Sequence, residues 1–205
     1  MNQETLREVV LASNNAGKLR EFSAILSGAG IRMISQGELG VSEADEPHDT
    51  FVENAIAKAR HASLQTGRPA LADDSGLCVP ALNGAPGVYS ARYASMGGGE
   101  KSDEANNRRL VSQLHEVRDR RAFYIAVLVY LRSADDPCPL VAEGRWNGTI
   151  VLEPRGDNGF GYDPYFWLPD RQCTVAELDP QVKNRESHRG RALAVLLKQL
   201  QEVGA

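Results

Sequence analysis

The residues best suited to chemistry in this chain gather in a few short stretches. Ser13-Asn14-Asn15-Ala16-Gly17-Lys18 is a polar turn containing a glycine. Where such a turn opens a helix it offers free backbone N–H groups to an anion, and Lys18 adds a mobile positive charge suited to phosphate. An ordinary strand-to-helix loop capped by Ser13 or Asn14 fits the same residues. Asp73-Asp74-Ser75-Gly76 sets two carboxylates side by side. Hard oxygen donors of this kind suit magnesium, which keeps waters and is shared with substrate phosphates, and one carboxylate could orient a water for attack. An Asx-turn that satisfies local backbone groups fits equally well. Asp45-Glu46 is a second acidic pair, solvated surface unless folding brings it to Asp74. Glu53 and Lys58 pose a similar choice, since Thr50 to Glu53 already reads as a capping box.

Gly159-Phe160-Gly161-Tyr162-Asp163-Pro164 combines aromatics, glycines and a carboxylate. It can present a ring to a nucleobase, a stacking contact of roughly 1–3 kcal/mol, with glycines allowing close approach of the backbone. A tight turn with Phe160 or Tyr162 plugging the core is the competing reading. Ser187-His188-Arg189-Gly190, with Lys183 shortly before, opens a last helix, and its side chains serve either as an exposed first turn or as donors aimed at a ligand. Other phosphate and nucleophile motifs are absent. Gly17-Lys18 is followed by Leu19 and is no P-loop, and Gly159-Phe160-Gly161 does not continue as GxGxxG. No His/Cys spacing suggests zinc and no GxSxG elbow occurs, so water is the expected nucleophile.

The elements that must hold these residues follow from periodicity. Val9-Val10-Leu11-Ala12 is a strand, Leu19, Phe22, Ile25 and Leu26 lie on one helical face, and Ile31 to Ile34 is a second strand. Val52, Ala55, Ile56, Ala59 and Ala62 form the apolar face of a helix ending near Gly67. Ala70-Leu71-Ala72 is a short buried strand leading into the Asp73 turn, and Asp103 to Leu114 is a helix. Ala122 to Leu131 is apolar on both alternating faces and marks a central strand. The Asp135-Asp136-Pro137 turn returns the chain through Leu140 to Glu143, with further extended residues at Thr149 to Leu152, as an antiparallel meander. A helix from about His188 to Gln201 closes the chain. A parallel opening and an antiparallel middle predict a mixed sheet flanked by helices.

Bulk properties narrow the function classes. The 205 residues, 42% hydrophobic, suffice for one core, and no linker-like stretch divides residues 1–205, so a single domain is expected. A net charge of -4 argues against gripping a nucleic-acid polymer through the overall field and favours a small anionic ligand. Three cysteines without a CxxC pair suit a reducing cytoplasm. Met1-Asn2-Gln3-Glu4 lacks the pattern of a signal peptide, and no apolar run is long enough to span a bilayer, so no membrane partner is expected.

Taken in order, the stretches above, together with Phe51 to Lys58 and Ala85-Pro86-Gly87-Val88-Tyr89-Ser90-Ala91-Arg92-Tyr93, resemble the inosine/xanthosine triphosphate pyrophosphatase family. The likeness runs from about Val9 to the last helix. It implies an α/β fold with a long mixed sheet flanked by helices, two lobes with a nucleotide cleft between them, and a homodimer. The activity it implies is magnesium-dependent conversion of ITP, dITP and XTP to the monophosphate and pyrophosphate. Carried over by position, Ser13, Asn14, Asn15, Ala16, Gly17 and Lys18 resemble the triphosphate cradle. Asp74 resembles the catalytic residue that binds magnesium or activates water, with Ser75 beside it at the substrate. Glu46, and Asp45 as a further candidate, match the acidic position that completes the metal site. Phe160, Gly161, Tyr162 and Asp163 match the base loop, and Lys183, His188 and Arg189 the remaining nucleotide contacts. Arg185-Glu186 departs from the family pattern, in which an apolar residue precedes Ser-His-Arg. A sibling enzyme for modified pyrimidines and a non-cleaving nucleotide sensor are the competing readings; Asp74 beside Ser75 argues against the sensor, which needs no water-activating carboxylate.

Overall fold

The computed structural model describes residues 7–203; Met1-Asn2-Gln3-Glu4, read above for a leader, lies outside them. Strands β1 (Arg7–Leu11), β2 (Ile31–Ser35), β3 (Ala70–Cys78), β4 (Arg121–Leu131), β5 (Leu140–Ile150), β6 (Phe166–Leu168) and β7 (Cys173–Thr174) form one seven-stranded sheet in the order β2-β1-β3-β4-β5-β6-β7. β1 runs parallel to β2 and to β3, with Val9 opposite Met33 and Leu11 opposite Leu71. β6 is antiparallel to β5 and to β7. The sheet is therefore mixed, as the alternation of parallel and hairpin signals predicts, and β4 occupies its centre. That place follows from residues 122–131, which are buried apart from Phe123, because a strand covered on both faces needs apolar side chains at every position.

Helices α1 (Ala16–Leu26), α2 (Phe51–Thr66), α3 (Asp103–Leu114), α4 (Pro180–Glu186) and α5 (His188–Glu202) accompany the strands. The chain forms two compact units. The first comprises residues 1–74, 126–144 and 191–205, and its core gathers Val9 and Leu11 of β1, Phe22 and Leu26 of α1, Leu128 and Tyr130 of β4, and Leu193, Leu196 and Leu200 of α5. The second comprises residues 75–125 and 145–190, with Leu77 of β3, Leu110 and Leu114 of α3, Trp146, Ile150, Tyr162 and Phe166 in its core. Strands β3, β4 and β5 each contribute residues to both.

Several local expectations are corrected. Asp73-Asp74-Ser75-Gly76 is no turn: β3 continues unbroken from Ala70 to Cys78. Residues with turn propensity are held extended because each carboxylate finds a lysine there, as described below, and tertiary context overrides propensity. The cap of α1 is Asn15, whose Oδ1 accepts the N–H groups of Gly17 at 2.8 Å and Lys18 at 3.1 Å, rather than Ser13 or Asn14. Thr50 caps α2, but Glu53 accepts the Thr50 hydroxyl at 2.5 Å in place of closing the reciprocal box through the backbone. A complete box occurs instead at Thr174 and Glu177. On α2 the buried face is Ala55, Ala59 and Ala62, while Val52 is exposed.

Candidate active site

In the first unit the strand period decides what the adjacent carboxylates do. Neighbouring side chains on an extended strand point to opposite sides, and Asp73 and Asp74 accordingly meet different helices. Lys18, on α1, reaches Asp73 Oδ2 at 2.9 Å, with the Asp73 side chain only 1% exposed. Lys58, on α2, places its Nζ 2.7 Å from Asp74 Oδ1 and 2.9 Å from Glu46 Oε1. The first turn and the aspartate strand are thus in direct contact. Two residues past Glu46 the chain is tied to α2 by Asn54, whose carboxamide accepts the His48 N–H at 3.1 Å and donates to the His48 carbonyl at 3.0 Å. Asp45 is exposed, and among the described residues no ion pair ties it to Lys58 or Asp74.

The electrostatics of this cluster are unusual. Burial pushes the Asp74 carboxyl above the ordinary carboxylate range, with the Lys58 ammonium pulling it part of the way back. For Lys58 burial works against the charge, but Asp74 and Glu46 outweigh it and its pKa is raised. Asp74 Oδ2 is buried and has no hydrogen-bond partner among the described residues. Asp73, Asp74 and Glu46 engage the two ammonium groups of Lys18 and Lys58. Both lysine charges are thus shared with carboxylates, and a divalent cation entering with a polyphosphate would ease its approach. The N–H groups of Gly17 and Lys18 are already taken by Asn15, and the Asn15 N–H lies 3.2 Å from Ser13 Oγ. Part of the turn is therefore self-capped rather than open, while Asn14 donates toward Glu43 at 3.4 Å.

The second unit gathers a different set. Phe160 is 61% exposed, with Lys183 Nζ 4.6 Å and Arg189 Cζ 5.7 Å from its ring centre. Tyr162, expected at the ligand with Phe160, is instead 4% exposed within the core, its hydroxyl donating to the Ser90 carbonyl at 2.8 Å. Its ring is unavailable for stacking because the phenol has an apolar bed and a partner for its polar end. Asp163 is buried and fully engaged. Its Oδ1 accepts the Tyr124 hydroxyl at 3.2 Å, and its Oδ2 accepts Lys183 at 2.5 Å and the Phe160 N–H at 2.9 Å. It organises the loop more than it reads a ligand, and a Cβ on Gly159, whose φ is +82°, would stand 2.2 Å from its Oδ2.

His188 and Arg189 open α5, capped by Ser187, whose hydroxyl accepts the Gly190 N–H at 3.2 Å. His188 is buried and stacked on Tyr124, ring centres 4.8 Å apart. Arg189 donates to Ser75 Oγ at 3.0 Å. A Cβ on Gly190 would lie 2.2 Å from the Asn184 carbonyl, so only glycine lets α4 and α5 meet this closely. Glu186, which departs from the family pattern, is held by Arg171 at 2.6 and 2.7 Å, an ion pair that accommodates the charge. Among the described residues no three His, Cys, Asp or Glu side chains assemble a metal cage.

A family model described as Ham1 matches residues 9–199. The chain belongs to the Ham1 family. Among Ham1-related proteins, one named dITP/XTP pyrophosphatase from Burkholderia pseudomallei is 68% identical over 195 residues, covering 95% of this chain and 94% of the relative. Another of the same name from Bordetella pertussis is 64% identical over 199 residues, 97% of this chain and 93% of the other. The solved structure of a HAM1 protein from Coxiella burnetii superposes with a TM-score of 0.90 at 49% identity, covering 96% of this chain and 99% of that one. The Ham1 fold thus agrees with the α/β class and mixed sheet expected above. Lys58 is the principal site residue that sequence reasoning left without a role, since its partners lie 12 and 16 residues away along the chain. No helix among the described residues is long and apolar enough to cross a membrane.

Proposed function

We propose that the chain hydrolyses the non-standard purine nucleoside triphosphates ITP, dITP and XTP to monophosphate and pyrophosphate, keeping deaminated purines from incorporation into DNA and RNA. The observation that carries the reading is Asp74, a buried carboxylate with one oxygen on Lys58 and the other unpartnered among the described residues. The relatives named dITP/XTP pyrophosphatase support the substrate class.

The donor set fits a divalent cation, magnesium in this reading. Asp74 Oδ2 lacks a partner among the described residues, and two protein carboxylates suit an ion that keeps waters and phosphate oxygens. Asp74 and Glu46 would hold it, with Asp45 a further candidate, and a cation bound there would neutralise phosphate charge and polarise the phosphoryl oxygens. Lys18, fixed by Asp73, and the turn from Ser13 to Gly17 bind the polyphosphate. Asp74 accepts a hydrogen bond from the attacking water and takes its proton as the bond to the α-phosphorus forms. The α–β anhydride bond breaks in line, and pyrophosphate departs with the electron pair. Water is the nucleophile in this reading, and burial, which lifts the Cys78 thiol to about 11, leaves that thiol unionised at neutral pH.

Phe160 stacks the purine, with Gly161 and Asp163 shaping its loop. Lys183, His188 and Arg189 supply contacts to the nucleotide, Arg189 from its place on Ser75. A protein group facing the 6-position donates to the oxo group of hypoxanthine or xanthine, whereas adenine's amino group would leave that donor unpaired. The chain works in this reading as a single catalytic domain, homodimeric and cytoplasmic, with free cysteines that suit a reducing compartment. Neither a nucleic-acid polymer nor a membrane is its partner. The test incubates the protein with magnesium and equal amounts of ITP, XTP, GTP, ATP and dUTP, measuring pyrophosphate and monophosphate. Turnover of ITP and XTP is expected, with Asp74→Asn slower by roughly a hundredfold or more. No turnover of either, or an undiminished Asp74→Asn enzyme, would overturn the assignment.

A further inference from the structure

Helix α3 carries residues that the chemistry above does not use, yet it grips the base loop at its centre. Asp103 Oδ2 accepts the Gly161 N–H at 2.8 Å. Asn107 Nδ2 donates to the Gly161 carbonyl at 2.9 Å. The two side chains lie at i and i+4, neighbours on one face of the helix, and together they take both polar groups of the residue that follows Phe160. Gly161 has a φ of +63°, so side-chain hydrogen bonds are well placed to hold a backbone that would otherwise sample several conformations. The adjacent Asn106 performs a parallel service for another segment, accepting the Ala94 N–H at 2.7 Å. Asn107 is buried, which makes its contact costly to lose, whereas Asp103 is exposed.

We infer that Asp103 and Asn107 are positioning residues for purine recognition, holding the Phe160 ring in the orientation that stacks the base. This rests on the reading of Phe160 as the base platform. An ordered ring binds without first losing conformational freedom, so loosening the clamp weakens binding of base-bearing ligands and spares the polyphosphate. Removing one hydrogen bond of this kind corresponds to roughly a three- to tenfold loss of affinity.

The test measures, by calorimetry with magnesium present, the affinities of inosine monophosphate and of pyrophosphate for the full chain and its variants. Asp103→Ala and Asn107→Asp, which remove an acceptor and a donor, should weaken the monophosphate roughly three- to tenfold and leave pyrophosphate unchanged. Asp103→Asn, which keeps an acceptor oxygen, should restore most of the loss. The folding midpoint of exposed Asp103→Ala should fall only slightly, with the chain fully folded under assay conditions, so its result stands even where Asn107→Asp folds poorly. Unchanged monophosphate binding in Asp103→Ala, equal weakening of both ligands, or no recovery in Asp103→Asn would overturn the inference. Phe160→Ala separates the two readings: wild-type monophosphate affinity there removes the base platform, and this inference with it. A loss in Phe160→Ala alone overturns only the clamp.

Discussion

Replacing Lys58 by methionine isolates the charge balance of the first unit. Methionine keeps much of the side chain's reach and removes the ammonium that Asp74 and Glu46 share at 2.7 and 2.9 Å. The Lys58 and Asp74 side chains are 13% and 10% exposed, so solvent screens the pair little. Removing one partner of a buried ion pair costs about 3–5 kcal/mol when the other stays charged, but Asp74 has an escape in taking up a proton. Its carboxyl is already held above the ordinary range by burial, and without Lys58 that burial acts unopposed. A folded-state pKa above the unfolded value means a contribution fully present below the unfolded pKa and lost as pH rises through the folded one. The deficit of Lys58→Met should therefore be small near pH 5 and reach about 2–4 kcal/mol near pH 8. Urea unfolding at a series of pH values, followed by Trp146 and Trp167 fluorescence, measures it. The double variant Lys58→Met with Asp74→Asn should recover much of the loss at pH 8, because no buried charge is stranded. A pH-independent deficit, or strict additivity of the two substitutions, would refute the reasoning.

Other outcomes follow from the same contacts. Phe160→Ala should raise KM for ITP about fivefold to a hundredfold, the equivalent of one stacked base, with kcat changing much less; steady-state kinetics with ITP checks this. In the metal-free protein the Asp74 carboxyl, followed by carboxylate NMR across a pH series, should titrate above the ordinary carboxylate range, since burial raises it. Chelation should stop turnover and added magnesium restore it, whereas metal-independent hydrolysis would contradict the assignment of Asp74 and Glu46 as cation ligands. Gly190→Ala should destabilise the fold by about 2 kcal/mol or more in chemical denaturation, because its new carbon has no room beside the Asn184 carbonyl.

Much of the architecture was legible because burial leaves a periodic mark. The apolar run of β4 announces a central strand, and the 3.6-residue spacing of α5 announces a helix. What escaped was decided by contacts distant in sequence. Asp73 to Gly76 reads as a turn by composition, and only Lys18 and Lys58 explain why it stays extended. Phe160 and Tyr162 are equivalent aromatics in a glycine loop until the fold supplies Ser90 as a partner for one of them. The residues of the first turn were visible as a group, but not that Asn15 consumes two of its amides. Asp103 and Asn107 gave no local signal, since their partner Gly161 lies 58 and 54 residues away.

The alternation along β3 has a consequence for how this segment can vary over time. Insertion or deletion of one residue between Ala70 and Asp73 would exchange the sides on which the two aspartates emerge, turning each from the lysine that neutralises it. Length in this stretch is consequently frozen even where individual residues drift, and natural variation should arrive there as replacements, with gaps confined to the connecting loops.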